Sequence, residues 1–202
     1  MTLSRVPMLN PSQPTPPLNY IPSGVGKADP ILLGSDYLQQ VRQVAIAPDM
    51  IQLPDDIHQR LQINRWIGLH IDRINAQLKQ YLTECQNCFK SSQQVAAAVL
   101  AAPLSARYGI DAVCNLQTTP ATLLIDIGQI VPTDWQAAVV HEYAHAQVGS
   151  PGHDQLFRQV LQHLCLGLAL PIPPLTLTVE QLSSWPPCQQ QTDKFAFWTG
   201  KL

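Results

Sequence analysis

The pattern of apolar and polar positions separates a proline-broken beginning from a periodic body. Seven of the 18 prolines fall within the first 30 residues. The amide donors they remove are needed by helix and sheet alike, so residues 1–35 read as an extended, flexible leader. Periodic structure is expected to start with a short helix over 36–45. Behind Pro54, with Asp55 and Asp56 favouring a helix N-terminus, Ile67, Ile71, Ile74, Leu78 and Tyr81 recur at helical spacing and mark the buried face of a long helix. Ser91 and Gln94 have the spacing of a capping box and predict a further helix over 96–100, ended by Pro103. The period changes after Gly109. Residues 112–116 and 121–127 are short β-favouring runs flanking Thr118-Thr119-Pro120, and they are expected to pair antiparallel.

The next segment reads as a helix that begins at Asp134 and Trp135, with Thr133 and Gln136 as its capping box and Gly149 as its stop. Phe157, Leu161, Leu164, Cys165 and Leu168 then recur at the spacing of a second helix. Leu175 to Val179 alternates apolar residues with threonine and reads either as a third strand or as the start of a short helix at Thr178. Residues 183–202 form a tail that Phe195, Phe197 and Trp198 anchor on a folded domain over 36–182. The fold class expected is α+β, mostly helical, with a small antiparallel or mixed sheet packed on the helix that Gly149 stops.

Composition narrows the function. Hydrophobic residues make up 46% of the chain, enough for a packed core, while charged residues make up only 13% and glutamine, with 23 copies, supplies much of the polarity. A net charge of -2 and a pI near 6.3 give no basic field for nucleic acid or an anionic membrane. No apolar run is long enough to cross a bilayer, no secretion signal opens the chain, and five scattered cysteines suggest no disulfide framework. A reduced, soluble, cytoplasmic protein is expected.

One segment carries chemistry: His141-Glu142-Tyr143-Ala144-His145, an HExxH motif. With six histidines and three glutamates in 202 residues, roughly 0.003 such motifs arise by chance in a shuffled chain. On a helix His141 and His145 lie one turn apart on the same face, so both imidazoles reach one metal ion. Glu142 lies about 100° around from His141, near the metal without being a ligand, where it can accept a proton from water. A catalytic zinc takes three protein ligands. His153, after the turn Gly149-Ser150-Pro151-Gly152, is the third expected, with Asp154 as the competing ligand or a helix cap. His163 lies too far along the second helix, and His58 and His70 belong to the early helix as surface or core residues. Cys85-Gln-Asn-Cys88 has CxxC spacing without a second pair and reads first as two reduced thiols, with redox or metal chemistry as the alternative. Tyr143 and Tyr108 are candidates for a transition-state hydrogen-bond donor.

The stretch from His141 to Phe157 resembles the active-site signature of SprT-like and WLM-type zinc metallopeptidases of the zincin superfamily, in which a third histidine and then an aromatic residue follow HExxH. The likeness covers roughly residues 110–172. It implies a minimal zincin-like fold, a Zn2+ cofactor held by His141, His145 and His153, Glu142 as general base, and a peptide or protein substrate. It also implies that the strand at 121–127, around Leu123, Leu124 and Ile125, is an edge that pairs with extended substrate. The four-cysteine ribbon that many SprT-like proteins carry is absent here, since only Cys188 lies in the tail. The alternative is a non-catalytic zincin-like metal-binding module that acts on a partner or in regulation.

Overall fold

The computed structural model describes residues 28–201. They form an α+β body in which a three-stranded mixed sheet packs among helices. The leader expected over 1–35 falls largely outside the described residues, and its end moves. Helix α1 runs Pro30–Val44, with Asp29 as N-cap accepting from the Ile31 amide and Pro30 in the first turn, where a missing N–H costs nothing. The long helix α2, Ile57–Asn87, starts three residues after Pro54 because Asp56 caps it, accepting from the amides of His58 and Gln59. Ile63, Ile67, Ile71, Leu78, Leu82 and Cys85 form its buried stripe. Helices α1 and α2 touch backbone to backbone. A Cβ on Gly34 would stand 1.9 Å from the Asn64 carbonyl oxygen, and one on Gly68 would stand 2.0 Å from that of Pro30.

The helix expected over 96–100 is instead strand β1, Ala97–Ala101. Alanine favours helix locally, but here the segment pairs parallel with β3, and Tyr37 and Asn75 fix its end: the Tyr37 hydroxyl donates to the Ala101 carbonyl at 2.7 Å and the Ala101 amide to Asn75 Oδ1 at 2.9 Å. Ser91–Gln93 form a single 3-10 turn instead of a capping box. Strands β2, Ala112–Asn115, and β3, Ala121–Ile125, pair antiparallel as their composition predicts, with Cys114 opposite Leu123. The strand order is β1-β3-β2. Strand β3 is therefore central, and the expectation that 121–127 forms a substrate-pairing edge is wrong. Both of its edges are occupied, one of them by the strand that sequence reading took for a helix.

Helix α3, Trp135–Val148, packs against all three strands and α2. It is buried nearly all round, with Val139, Val140, Tyr143 and Ala144 in the core beside Leu123 and Ile125. Its expected capping box does not form. A 3-10 turn over Pro132–Asp134 leads into the helix, Thr133 bonds Asp134, and Gln136 reaches across to Glu84 of α2 at 2.8 Å. Helix α4, Gln155–Gly167, folds back on α3. The segment at 175–179 takes the helical alternative: Thr178 and Gln181 make a capping box at the head of α5, Val179–Leu182. In the tail, α6, Lys194–Trp198, buries Trp198, whose indole N–H donates to Asp126 at 3.0 Å. Among the described residues no helix is long and apolar enough to cross a membrane.

Candidate metal centre

Helix α3 sets His141 and His145 one turn apart, and then the chain must reverse. Gly149 makes this possible: it closes the helix in the left-handed region, at φ 71°, with its amide on the His145 carbonyl. The turn over 150–153 follows, and Asp154 restarts the helix by accepting from the Phe157 amide at 2.9 Å. This brings His153 Nε2 to 3.1 Å from His141 Nε2, and His145 Nε2 lies 3.3 Å from the same atom. Among the described residues these three histidines are the only group of metal-ligating side chains that converges in this way.

The outward nitrogens fix the tautomers. His141 Nδ1 lies 2.7 Å from the Trp185 carbonyl and His145 Nδ1 lies 2.9 Å from the Ser150 carbonyl. A carbonyl only accepts, so each Nδ1 carries the proton and each Nε2 presents a lone pair inward. Burial holds both rings neutral, pushing His141 down to about 3 and His145 down to about 4, and it lowers His153 as well. Lone pairs facing one another repel until a cation lies between them. Two nitrogens bound to one tetrahedral zinc at about 2.0–2.1 Å lie about 3.3–3.4 Å apart, close to the spacings here, so the donor set fits zinc in number, type and spacing. Phe157 lies against all three rings, with centroids 4.4 Å from His145, 4.7 Å from His153 and 5.1 Å from His141, and keeps one side of the cluster dry.

Glu142 is buried beside the cluster; burial pushes its carboxyl up to about 8, while the backbone of Cys114 on β2 pulls it the other way. It opens, with the three histidines, into a cleft of about 660 Å³. Three elements bound the cleft: α3, the β2 strand over Ala112–Cys114, and a strap over Ser183–Cys188. The open sheet edge beside Glu142 thus belongs to β2.

The other sequence candidates lie elsewhere. Asp154 is a cap. His163 donates to the Cys88 carbonyl and stacks on Phe89. His58 is exposed on α2, and His70 lies against Trp66. The Tyr143 hydroxyl faces the Val95 carbonyl and the Gln147 amide oxygen, and that of Tyr108 donates to Asp49. Neither tyrosine lines the cleft. Cys85 is buried in the core, and burial raises the thiols of both Cys85 and Cys88, which favours the protonated thiol at each.

Sequence reasoning missed the strap. Trp185 contributes its main-chain carbonyl, which no residue pattern signals. The strap is held at several points: the Trp185 indole donates to the Pro171 carbonyl, the Gln189 amide to Asp134, and the Val131 amide to the Gln189 carbonyl. Arg158, buried on α4, holds the preceding loop by donating to the carbonyls of Pro174 and Leu177. Fold and site together define an α+β chain with a three-histidine centre beside a buried glutamate. Comparison with protein-family models, curated proteins and solved structures finds no match.

Proposed function

We propose that this chain is a zinc-dependent metallopeptidase that hydrolyses peptide bonds, with His141, His145 and His153 holding Zn2+ and Glu142 as general base. One observation carries the reading: three inward-facing imidazole nitrogens meet beside a buried carboxyl in one cleft. A purely structural metal site needs no such carboxyl.

Zinc bound there supplies Lewis-acid polarisation of the scissile carbonyl. Glu142 takes a proton from the attacking water as the new C–O bond forms. It delivers that proton to the amine nitrogen as the C–N bond breaks. A neighbouring cation favours the ionised carboxylate and counters the upward push of burial, which brings the base into its working range. His141 and His145 keep their inward orientation through the Trp185 and Ser150 carbonyls. Extended substrate lies along the open edge of β2, where main-chain hydrogen bonds recognise a peptide without regard to its sequence.

The test is hydrolysis of casein or a quenched fluorescent peptide by the zinc-loaded chain, with and without a chelator. Cleavage that stops on chelation and returns with zinc supports a peptidase. Zinc bound at one ion per chain with no hydrolysis of any peptide would leave the zincin-like binding module as the better reading.

A further inference from the structure

A second cavity, of about 380 Å³, lies next to the cleft and is lined by Arg42, Arg60 and Arg107. Three of the 12 basic residues of a chain with net charge -2 thus converge on one concavity. Arg60 donates its Nε to the Pro54 carbonyl and Arg107 donates to the Tyr108 hydroxyl, and the ion pairs of both are weak. Arg107 pairs with Asp49 and Arg60 with Asp55, but all four side chains are substantially exposed, Asp55 completely so. Exposed pairs of this kind contribute little and exchange readily for a ligand's carboxylate. Arg42 has no ion-pair partner among the described residues. Arg158 differs: it is buried, with its guanidinium donating to the backbone carbonyls of Pro174, Leu175 and Leu177.

Two chain segments connect this cavity to the cleft. Ile46 lines the cleft and Asp49 the cavity; Arg107 lines the cavity and Gly109 to Cys114 the cleft. Three residues of fully extended chain span at most about 10 Å, so lining residues of the two concavities lie within that distance of each other, about three residues of an extended peptide. A planar guanidinium is suited to a carboxylate, which it grips through two parallel N–H donors.

We propose that the cavity of Arg42, Arg60 and Arg107 is a carboxylate subsite, which takes an Asp or Glu side chain of the peptide whose backbone lies in the neighbouring cleft, about three to five residues from the part seated against β2. The proposal rests on the peptidase reading for its substrate but not for its measurement. The full chain, zinc-loaded and carrying Glu142→Gln to prevent turnover, is titrated with two fluorescein-labelled peptides that differ only in having Glu or Gln at those outer positions. The same pair is titrated against that protein with Arg42→Gln, Arg60→Gln and Arg107→Gln added, and against one with Arg42→Lys alone.

Two or three added ion pairs predict roughly tenfold tighter binding of the acidic peptide at low salt, falling to about equal binding in the triple variant and largely kept in Arg42→Lys. The preference should also shrink as salt is raised. Equal binding of the two peptides by the parent, or a preference that survives loss of all three arginines, would overturn the proposal. Competition by inorganic phosphate with no difference between the peptides would overturn it too, since the cavity would then hold a free anion. If the acidic preference is present and depends on the arginines while the chain with Glu142 intact cleaves neither peptide, the subsite stands and the peptidase reading fails.

Discussion

His153 reaches the other two imidazoles only because the chain reverses at Gly149. A continuous helix would carry it about 12 Å along the axis from His145, at about 1.5 Å per residue, whereas its Nε2 lies 3.1 Å from that of His141. His153→Ala removes one of three protein nitrogens. Apparent zinc-binding energies of about 10–16 kcal/mol over four ligands put one ligand at about 2.5–4 kcal/mol, or about 60- to 700-fold in Kd. The assay is competition for zinc against a chromophoric chelator at fixed pH, with Asp154→Ala and His163→Ala beside it. Asp154→Ala should cost about 1 kcal/mol of stability through the lost cap on α4 and leave zinc affinity intact. His163→Ala should leave it intact as well, because that ring binds the Cys88 carbonyl. If His153→Ala stays within about threefold of the parent, the reasoning from the turn is refuted. If Asp154→Ala loses zinc instead, the third ligand is a carboxylate.

Two further expectations concern stability. Gly34→Ala forces a methyl group to within 1.9 Å of the Asn64 carbonyl oxygen, a backbone atom that cannot turn aside. Helices α1 and α2 must separate, at a cost of about 1–3 kcal/mol in urea unfolding; an unchanged midpoint would contradict the close approach. Burial pushes Asp126 from its ordinary 3.8 up to about 6, against four N–H donors from Leu104, Gly128, Gln129 and Trp198 that pull it down. The folded state therefore binds the extra proton between those values, and stability should fall as pH rises from about 4 to about 6 and flatten above, by about 3 kcal/mol in all. Asp126→Asn removes this contribution, so the difference between wild type and variant isolates it from the buried histidines; parallel pH profiles would refute it.

Local rules carried the long elements and the motif. The stripe of α2, the HExxH helix with its glycine stop, and the β2–β3 pair are each written in spacing and composition that tertiary contacts do not override. The elements they failed to predict depend on partners distant in sequence. Ala97–Ala101 becomes a strand because β3 offers a parallel partner and because Tyr37 and Asn75 hold its last residue. That insertion made β3 central and moved the open edge to β2. The metal cluster was legible because side chains form it, whereas its supports, the Trp185 and Ser150 carbonyls, are main-chain groups that every residue possesses. Residues 183–202 read as a tail docked on the domain, yet part of that stretch walls the cleft.

The central claim is that Glu142 performs the proton transfers of a hydrolysis at the three-histidine centre. Its most direct test is Glu142→Gln, with bound zinc and peptide turnover measured on the same preparation. Glutamine keeps the shape of the side chain and leaves the histidines untouched, but cannot accept the proton. The account predicts one zinc per chain in both proteins and loss of at least about 100-fold in kcat in the variant. Turnover that persists at the parent rate in a zinc-loaded Glu142→Gln protein would contradict it.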